Sequence, residues 1–502
     1  MKTLAEIIEK VSVKRIIGDV HIPIRSVCFD SRKAAPGSVF VAVRGTAVDG
    51  HQFIPDVVRQ GVSAVVCETT PDAIRTDVTY IITDNTAETL GGVCANFYGN
   101  PSKSLTLVGV TGTNGKTTTA TLLYRLFRAA GYKAGLISTV AYYVNDAKSD
   151  ASHTTPDPIQ LNELMQQMVD AGCTYCFMEV SSHAVVQRRI AGLQFAGGIF
   201  SNLTHDHLDF HKTFAEYLKA KKAFFDALPD SAFALVNKDD RNGMVMVQNT
   251  RAVVKTYALK SMADFRCRII ERHADGMLLQ MEGQEAWMQF IGEFNAYNLL
   301  AVYAAAVLLG QSPQDILRIM STLKPVDGRF EFIRSANGVT AVVDYAHTPD
   351  ALENVLRAIH EITPDAEKQI ITVVGCGGDR DKTKRPEMAK IAADNSTRVI
   401  LTSDNPRSEE PDAIIADMLT GLDERERRPT LAITDRREAI RTACMMARTG
   451  DVILVAGKGH ENYQIVKGVK SHFDDREIVR ENFDSITNSF TTERNNYDYN
   501  LK

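Results

Sequence analysis

A glycine-rich turn between a predicted strand and a predicted helix constrains this chain more than any other feature. The apolar run 105–110 leads into Val110-Thr-Gly-Thr-Asn-Gly-Lys-Thr-Thr118. The residues that follow place four large apolar side chains on one helical face: Leu122, Leu123, Leu126 and Phe127. In such a layout backbone N–H groups cradle a phosphate at the helix N-terminus, a lysine reaches the phosphate oxygens and a hydroxyl meets Mg²⁺. The turn therefore predicts a nucleotide-binding α/β domain.

The turn departs from the usual Gly-x-x-x-x-Gly-Lys-Thr pattern, because its first glycine would fall on Val110. The loop is instead Gly112-x-x-Gly115-Lys116-Thr117, a tighter variant. Without its neighbours this motif would be weak evidence, and a glycine turn with a solvated lysine is the alternative. The strand before it and the helix after it favour nucleotide binding.

The composition excludes several classes of protein. Of 502 residues, 44% are hydrophobic and 24% are charged, which is typical of a soluble globular chain of about three domains. The net charge is −5, and no basic patch points to nucleic acid as a partner. The N-terminus lacks a signal-peptide core, and no apolar run reaches about 18 residues. We therefore expect a cytoplasmic protein that does not enter a membrane.

Eight cysteines in a chain of this length do not form a disulfide scaffold. Cys173 and Cys176 make a lone CxxC inside an apolar run. A structural zinc site would need a second pair. We therefore expect buried strand residues rather than a redox or metal site.

Apolar runs that end in polar loops organise the chain. This alternation, with helical patterns between the runs, is typical of a mostly parallel α/β sheet. It occurs four times in residues 103–330 and again in 331–490. We predict three domains, 1–102, 103–330 and 331–490, followed by a flexible tail at 491–502. Ligands of such sheets bind beyond the carboxyl ends of the strands, where these loops gather.

The loop at 204–211 packs three histidines and two aspartates into eight residues. Its spacing fits no common zinc frame. Near a phosphate loop the more economical metal is Mg²⁺, which prefers oxygen ligands. We therefore expect at most one of these histidines to be a metal ligand and at least two to cap helices or pack.

Two further patterns leave alternatives open. Asn237-Lys-Asp-Asp240 resembles the guanine-reading motif of GTPases, but the Asp-x-x-Gly loop that a GTPase needs upstream is absent. The nearest copy, Asp240 to Gly243, follows the motif and overlaps it. Asn295 and Asn298 lie one turn apart at the start of a predicted helix, where they either cap the helix or read a nucleobase edge.

Several motifs together resemble one family, the ATP-dependent Mur ligases of peptidoglycan synthesis, over nearly the whole chain. The matching segments, in order, are Gly112-Thr-Asn-Gly-Lys-Thr-Thr118, Glu179-Val-Ser-Ser-His183, Asn202-Leu-Thr-His-Asp-His-Leu-Asp209, Gly292-Glu-Phe-Asn-Ala-Tyr-Asn298, Gly328-Arg329 and Asp344-Tyr-Ala-His347. The resemblance implies an N-terminal UDP-binding domain, a central ATPase domain with a mostly parallel sheet and a C-terminal Rossmann-like domain.

The resemblance also implies a reaction. A substrate carboxylate attacks the γ-phosphate of ATP, and an amine then displaces phosphate from the acyl phosphate. Cations must neutralise the two anions that meet. The catalytic residues implied are Lys116, Glu179, His207 and Lys221. The implied Mg²⁺ ligands are Thr117, Glu179, His207 and Lys221, the last as a carbamate (N6-carboxylysine).

The same resemblance assigns two groups of binding residues. Those expected to contact ATP are Gly112, Thr113, Asn114, Gly115, Lys116, Thr117, Thr118, Asn295, Arg329 and Asp344. Those expected to contact the UDP-sugar peptide are Ser31, Thr154, Thr155, Ser181, Gln187 and Arg189.

Within the family, Asp404-Asn-Pro-Arg407 matches relatives that add meso-diaminopimelate to UDP-N-acetylmuramoyl-L-alanyl-D-glutamate, and lysine-adding relatives lack this arginine. A guanidinium grips the distal carboxylate of diaminopimelate in a two-pronged fork. Lysine has no such carboxylate and would leave a buried arginine unpaired. The predicted contacts with this amino acid are Arg385, Asp404, Asn405, Pro406, Arg407, Gly457 and Glu461.

Three other functions stay open. A lysine-adding paralogue would differ in substrate alone. A folate polyglutamylating ligase is a more distant relative, and Thr154, Thr155 and Arg407 argue against it. A nucleotide-switched binding protein would use the phosphate loop without ligation and would leave the C-terminal arginine and glutamate loops unexplained. We expect a monomer.

Overall fold

Three sheets follow one another along the chain in the computed structural model, which describes residues 1–45, 48–363, 365 and 367–485. The tail predicted for 491–502 lies outside the described residues. In each of the three sheets the inner strands are parallel and antiparallel pairing occurs towards the edges. This arrangement confirms the predicted α/β class with a mostly parallel central sheet.

The first sheet has five strands in the order β2-β7-β6-β5-β4, and a two-stranded β1-β3 ribbon lies beside it. Its strands are β1 (Lys2–Thr3), β2 (Arg15–Ile17), β3 (Pro23–Ile24), β4 (Ser26–Cys28), β5 (Ser38–Val41), β6 (Ala64–Cys67) and β7 (Thr79–Ile82). Its helices are α1 (Leu4–Ile7), α2 (Ile54–Arg59) and α3 (Thr86–Phe97).

The central sheet has eleven strands in the order β11-β10-β9-β12-β8-β13-β14-β15-β16-β17-β18. Its strands are β8 (Thr106–Thr111), β9 (Ala134–Ile137), β10 (Ala141–Val144), β11 (Ala147–Asp150), β12 (Tyr175–Glu179), β13 (Gly197–Phe200), β14 (Phe233–Asn237), β15 (Val253–Ala258), β16 (Phe265–His273), β17 (Gly276–Met281) and β18 (Gln284–Met288). Its helices are α4 (Lys116–Ala129), α5 (Pro158–Asp170), α6 (Ser182–Val186), α7 (Leu208–His211), α8 (Phe214–Asp226), α9 (Gly243–Met246), α10 (Glu293–Leu308) and α11 (Pro313–Met320).

The third sheet has six strands in the order β19-β20-β24-β21-β22-β23, with a β25-β26 hairpin after it. Its strands are β19 (Glu331–Arg334), β20 (Thr340–Asp344), β21 (Ile370–Val374), β22 (Arg398–Leu401), β23 (Thr430–Ala432), β24 (Val452–Ala456), β25 (Tyr463–Val466) and β26 (Val469–His472). Its helices are α12 (Pro349–Ile362), α13 (Lys384–Asp394), α14 (Pro411–Leu419), α15 (Glu424–Arg427) and α16 (Arg436–Met446), and residues 475–485 are also helical.

Apolar helix faces fix these sheets in place. The predicted face of α4 is fully buried against the central sheet, with Leu122, Leu123 and Phe127 each at 0% exposure. Helix α10 is buried along most of its length, which explains its run of alanine and leucine. Cys173 and Cys176 are buried free thiols, as predicted, but only Cys176 lies in a strand, because β12 begins after Cys173. In the part of the chain that the structure describes, no helix has the length and apolarity needed to cross a bilayer.

The sheet order decides where the polar loops meet. Strands β12, β8, β13 and β14 are adjacent and parallel, so the loops after them lie side by side at one edge. Strands β20, β24, β21 and β22 do the same in the third sheet. The three predicted domain ranges each contain one of these sheets, and their exact boundaries stay a prediction.

Candidate active site

A cleft of about 430 Å³ lies between the carboxyl edge of the central sheet and the third sheet. It is lined by residues from both. Those that the sequence had singled out are Thr113, Asn114, Gly115, Lys116, Thr117, Thr118, Thr154, Glu179, Ser181, His207, Lys221, Asn295, Arg329 and Asp344.

The phosphate loop needs both of its glycines. Gly112 and Gly115 have φ angles of +150° and +87°. A Cβ atom at Gly112 would collide with Ser201 Oγ, and one at Gly115 would collide with Asn298 Oδ1. The loop thus leaves its backbone open at the N-terminus of α4, where helix N–H groups attract anions.

Two lysines share one acceptor in this loop. Lys116 Nζ donates to the carbonyl oxygens of Gly112 and Thr113 at 2.9 and 2.7 Å, and Lys221 Nζ donates to that of Gly112 at 2.7 Å. Burial lowers the pKa of both amines, and the charge of Lys116 lowers that of Lys221 further. Lys221 is 1% exposed, whereas Lys219 on the same helix is 78% exposed. Lys221 is therefore not part of a solvated helix face.

Glu179 presents a buried carboxylate oxygen without a partner. The backbone N–H of Thr139 donates to Glu179 Oε1 at 2.7 Å, but Oε2 is buried and accepts no hydrogen bond from the described residues. Such an oxygen is costly unless a cation or a further donor reaches it. The carboxylate fits the oxygen preference of Mg²⁺.

His207 adopts the left-handed conformation, with φ +56°. Burial lowers its pKa to about 3, so its imidazole is neutral and able to ligate a metal. Among the described residues, no three His, Cys, Asp or Glu side chains come together in a metal-binding group. The predicted Mg²⁺ set therefore depends on the hydroxyl of Thr117 and on a carboxylate formed at Lys221.

The other two histidines of the 204–211 loop make protein contacts. His205 Nε2 lies 3.1 Å from Asp381 Oδ2, across the cleft, and His211 Nε2 lies 2.9 Å from Ser182 Oγ. These contacts agree with the expectation that at least two histidines of this loop pack or cap.

The asparagines at the start of α10 form a short chain. Asn298 Nδ2 donates to Asn295 Oδ1 at 3.3 Å, and Asn295 Nδ2 donates to Ile291 O at 2.8 Å. Both lie at the wall of the cleft beside the phosphate loop. This position suits a nucleobase at the end of a bound nucleotide.

The carboxylate of Asp240, the aspartate that would read a guanine in this motif, is already occupied, which argues against the GTPase alternative. The backbone N–H of Leu203 donates to Asp240 Oδ2 at 2.9 Å, and the backbone N–H and side-chain amide of Asn242 donate to Asp240 Oδ1 at 2.8 and 3.2 Å. A guanine-reading aspartate must instead face the base. Asp240 here ties the loop after β14 to the loop after β13.

Arg329 and Asp344 join the third sheet to the phosphate loop. Arg329 Nη2 donates to Thr117 Oγ1 at 3.1 Å, and its guanidinium lies 4.3 Å from the ring centre of Tyr345. Asp344 accepts from the backbone N–H of Phe330 at 2.7 Å. Burial raises the pKa of Asp344 to about 6, against the opposing effect of Arg329.

Asp350 is a cleft residue that the sequence analysis missed. Asn114 Nδ2 donates to Asp350 Oδ2 at 2.9 Å, which joins the phosphate loop to the N-terminus of α12. Asp350 belongs to no motif that we recognised in the sequence. Only the approach of the two sheets reveals it.

The predicted UDP-sugar-peptide residues form one network beside Glu179. Thr155 Oγ1 donates to Glu179 O at 2.8 Å, and Arg189 Nη1 donates to Thr155 O at 2.7 Å. Arg189 Nε donates to Gln187 Oε1 at 2.9 Å. Ser31 lies apart from this network, in a 3-10 turn of the first domain (Ser31–Lys33).

The loops after β22 and β24 meet through polar side chains. Asn405 Nδ2 donates to Glu461 Oε2 at 2.8 Å, and Lys458 Nζ donates to the same oxygen at 3.2 Å. Burial raises the pKa of Glu461, and Asp404 raises it further. A Cβ at Gly457 would lie 2.6 Å from Asp404 Oδ2, so a larger residue would push the loops apart.

Arg385 does not have the free guanidinium that the sequence analysis assumed. It is 0% exposed, and it donates to the carboxylates of Glu409 and Asp417 at 2.8–3.0 Å. These pairs occupy Nη1 and Nη2, and Nε is buried without a partner among the described residues. The guanidinium is therefore not exposed to a substrate carboxylate in this conformation, and its role as a diaminopimelate ligand stays a prediction.

Arg380 is better placed than Arg385, and the sequence analysis missed it. Arg380 is exposed, and together with Arg407 it flanks Gly377, where a Cβ would lie 3.8 Å from Arg380 Cγ and 2.8 Å from Arg407 Nη1. Burial is the main cause of the lowered pKa of His183, and the charge of Arg380 lowers that pKa further. Arg380 therefore faces the central domain, which contains His183. The sequence gives no reason to prefer one arginine of this segment.

Three family models match the chain. They are the Mur ligase family, catalytic domain, over residues 23–98, the Mur ligase middle domain over 110–306, and the Mur ligase, glutamate ligase domain over 328–459. The chain therefore belongs to the Mur ligase family, which confirms the resemblance found from its motifs.

Curated relatives match over almost their full length. The chain is 58% identical to the UDP-N-acetylmuramoyl-L-alanyl-D-glutamate–2,6-diaminopimelate ligase of Bacteroides thetaiotaomicron, over 96% of this chain and 99% of that protein. It is 43% identical to the ligase of the same name from Chlorobaculum tepidum, over 91% and 92%.

Solved structures share the fold. A structure of a UDP-N-acetylmuramoyl-L-alanyl-D-glutamate–2,6-diaminopimelate ligase is 31% identical, with a TM-score of 0.68 and coverage of 97% of this chain and 99% of that one. The MurF ligase of Thermotoga maritima in complex with ADP is 20% identical, with a TM-score of 0.61 and coverage of 92% and 97%. The second likeness concerns the fold alone.

Proposed function

We propose that this chain is an ATP-dependent ligase that joins meso-diaminopimelate to UDP-N-acetylmuramoyl-L-alanyl-D-glutamate through an acyl phosphate. One observation carries the proposal. A single cleft brings a phosphate loop and the unpartnered carboxylate oxygen of Glu179 against a second sheet, whose own loops carry paired carboxylates and arginines. The names of the curated relatives support the choice of substrates.

The first step brings two anions together, a substrate carboxylate and the γ-phosphate of ATP. Lys116 lies in the phosphate loop, where a small rotation would take its amine from the loop carbonyls to phosphate oxygens. Arg329 faces the same loop through Thr117. These cations stabilise the charge of the transferring phosphoryl group.

Mg²⁺ fits the residues present, and we propose Thr117, Glu179, His207 and carbamylated Lys221 as the residues that hold it. The ion, when bound, supplies positive charge that phosphate and acyl phosphate oxygens require. Carbamylation joins the neutral amine of Lys221 to CO₂ with loss of one proton, and it turns a buried cation into a carboxylate-like ligand. Burial and the neighbouring Lys116 favour the neutral amine that this reaction needs.

The residues assigned to the substrates follow the same cleft. We place ATP on the loop from Gly112 to Thr118, with its base towards Asn295 and Asn298 and with Asp344 facing the nucleotide. We place the UDP-sugar peptide from the first domain, at Ser31, towards Thr154, Thr155 and Ser181. Gln187 and Arg189 support this path through the network beside Glu179.

In the second step the amine of the amino acid displaces phosphate. We propose that Arg407 grips the distal carboxylate of diaminopimelate, with Arg380 as the second cation in place of Arg385. Asp404 or Glu461 holds the distal ammonium, and Asn405, Pro406 and Gly457 shape the pocket. Lysine would leave the half-buried guanidinium of Arg407 without a counter-ion, so the site discriminates by charge rather than by bulk.

The remaining predictions complete the proposal. We expect the chain to act as a monomer in the cytoplasm, without a nucleic-acid partner, in the synthesis of peptidoglycan precursors. The net charge of −5 supports the expectation of no nucleic-acid partner, and a substrate carried on UDP supports a cytoplasmic reaction.

The test is phosphate release from ATP and Mg²⁺ in the presence of UDP-N-acetylmuramoyl-L-alanyl-D-glutamate, with mass analysis of the nucleotide product. We expect release with meso-diaminopimelate and a product heavier by one residue of it, but no release with L-lysine or without an amino acid. Release with lysine would contradict the proposed specificity. Release that is indifferent to amino acids would favour a nucleotide-switched binding protein.

A further inference from the structure

A buried ion pair lies beneath the two loops that carry the proposed diaminopimelate contacts. The side chains of Arg436 and Asp475 are both 0% exposed. Arg436 Nε and Nη2 donate to the two carboxylate oxygens of Asp475 at 2.9 and 2.8 Å. Because desolvation offsets most of the attraction in such a pair, stability alone is a weak reason for its presence.

The same guanidinium bonds to both loops. Nη2 of Arg436 donates to the carbonyl oxygen of Ala456, the last residue of β24, at 2.9 Å. Nη1 donates to the carbonyl oxygen of Ser403 at 3.4 Å. Ser403 directly precedes the 404–407 loop, and Ala456 directly precedes the 457–461 loop. One side chain therefore joins the bases of the two loops.

The fold explains why this residue reaches both. Arg436 is the first residue of α16, which follows β23 and so begins at the carboxyl edge of the sheet. Asp475 begins the last described helical segment, and its bidentate contact fixes the plane of the guanidinium. The planar guanidinium has five N–H donors on three nitrogen atoms, so it can bond to a carboxylate and to two separate carbonyls at once. The single ammonium nitrogen of a lysine cannot span these acceptors.

The charge of Arg436 also reaches the pocket. Burial lowers the pKa of Arg436, but the carboxylates of Asp475, Asp404 and Glu461 together outweigh burial and raise that pKa. The carboxylates of Asp404 and Glu461 are the ones assigned to the distal ammonium. The cation below the two loops therefore attracts one carboxylate on each of them.

The tolerance for loop movement is small. Asn405 Nδ2 on one loop lies 2.8 Å from Glu461 Oε2 on the other, and a Cβ at Gly457 would already crowd Asp404. Arg407 stands on one loop and Glu461 on the other. The separation of the loops thus sets the distance between the group that grips a carboxylate and the group that grips an ammonium.

We propose that Arg436, held in place by Asp475, is a positioning residue that fixes the spacing of the two amino-acid-binding loops and thereby contributes to selectivity for a diamino dicarboxylic acid over lysine. The inference rests on the proposed function. Arg436 acts through the loops and not by touching the substrate. A purely structural pair would instead affect all substrates alike.

Two variants test the proposal. Arg436→Lys keeps a positive charge beside Asp475 but cannot bond to both loops. The double variant Arg436→Met with Asp475→Leu removes both buried charges, so neither is left unpaired. The matched control is Arg437→Lys, because Arg437 is the next residue of α16 and pairs with Glu481 at 2.8 Å on the surface, away from the loops.

The readout is the KM for each substrate in steady-state phosphate release. We expect the KM for diaminopimelate to rise roughly tenfold in Arg436→Lys and about 100-fold in the double variant, as small misplacements in a binding site do. The KM for ATP should stay within about twofold, and the preference for diaminopimelate over lysine should fall in parallel. Arg437→Lys should match the wild type.

The outcomes decide between a positioning role and a purely structural role for Arg436. Folded variants that keep the wild-type KM for diaminopimelate, or that raise the KM values for both substrates equally, would overturn the positioning role. Thermal unfolding establishes which variants are folded, and Arg436→Lys decides the matter if the double variant does not fold. Wild-type protein that cannot use diaminopimelate would instead contradict the proposed function, and this inference with it.

Discussion

The central and C-terminal sheets present loops at their carboxyl edges in the same way, yet the two clusters differ in how their polar groups are satisfied. In the central cluster Glu179 keeps an oxygen that has no partner among the described residues, and Lys116 and Lys221 donate to the same carbonyl. In the C-terminal cluster Glu461 accepts from Asn405 and Lys458, and Arg436 and Asp475 below it are paired with each other. The central cluster is incomplete without ligands, because a carboxylate oxygen lacks a partner. In the C-terminal cluster the carboxylate of Glu461 is satisfied, and the buried atoms without a partner among the described residues are the nitrogens Arg385 Nε and His460 Nδ1.

This contrast matches the work that each cluster does in the proposed reaction. A site for ATP, Mg²⁺ and a carbamate must leave room for charges that arrive with the ligands. A site that selects one amino acid by the spacing of its charges gains from groups that are already in place. The same βα architecture therefore serves two purposes, and the loop residues decide which.

The largest effect should follow a change in the incomplete cluster. Lys221→Ala removes the proposed carbamate, and we expect kcat to fall roughly 10³-fold, because charge stabilisation at a reacting phosphate is lost. Short carboxylic acids should restore part of the activity by supplying the missing carboxylate. The control is Lys219→Ala, two residues earlier on α8 and exposed, which should behave as wild type. An active Lys221→Ala enzyme would refute the carbamate.

The unfolding free energy should depend on pH through Asp344, which lies in the cleft where the two clusters meet. The pKa of Asp344 is raised by burial from 3.8 to about 6. Because the folded state holds this proton more tightly than the unfolded state, the contribution to stability is present below pH 3.8 and is lost as the pH rises through about 6. Relative to Asp344→Asn, the wild type should lose roughly 3 kcal/mol of unfolding free energy over that range. Denaturant unfolding of both proteins at pH 4, 5, 6 and 7 measures this difference in unfolding free energy. If the two free energies change with pH in parallel, the pKa of Asp344 is not raised.

The next effect should fall on one substrate alone. Arg407→Ala removes the proposed grip on the distal carboxylate, and we expect the KM for diaminopimelate to rise about 100-fold, the size of one lost charge-assisted fork. The KM for ATP should change little. Steady-state kinetics with each substrate varied in turn measure both values. An equal loss for ATP and diaminopimelate would remove Arg407 from the amino-acid site.

The smallest effect separates two arginines of one segment. Arg385→Met breaks the pairs with Glu409 and Asp417, which are partly exposed, so we expect a loss of roughly 2 kcal/mol in unfolding free energy. Arg380→Met should leave stability unchanged and raise the KM for diaminopimelate. Unfolding curves and kinetics on both variants distinguish them. The opposite pattern would return Arg385 to the substrate site.

Local motifs made much of the fold and of the phosphate loop predictable from the sequence. The phosphate loop, its helix and the parallel sheet were readable because each depends on residues close in sequence. Lys221 was assigned by resemblance, although a signal existed in the helix itself. Tyr217, Lys221 and Phe224 share the buried face of α8, whereas Lys219 does not. Helical periodicity alone could therefore have separated the buried lysine from the solvated one.

The part of the site that could not be predicted depends on contacts between segments that are far apart in the sequence. Arg385 is engaged by Glu409 and Asp417, which stand 24 and 32 residues further along the chain. Arg436 meets Asp475 after 39 residues, and Asn114 meets Asp350 after 236. No local pattern records such pairs, because they follow from sheet order and domain approach. The prediction for Arg385 did not include these partners for that reason, and its role at the substrate stays a prediction.

The central claim is that one cluster activates a carboxylate which an amino acid held by the other then attacks. The most direct test uses UDP-N-acetylmuramoyl-L-alanyl-D-glutamate with ¹⁸O in its carboxylates, together with ATP, Mg²⁺ and meso-diaminopimelate. An acyl phosphate transfers one carboxylate oxygen to the released phosphate, so we expect phosphate that carries one ¹⁸O, in equal amount to the tripeptide product. Released phosphate without the label would show that water, and not the carboxylate, attacks ATP, and would contradict this account.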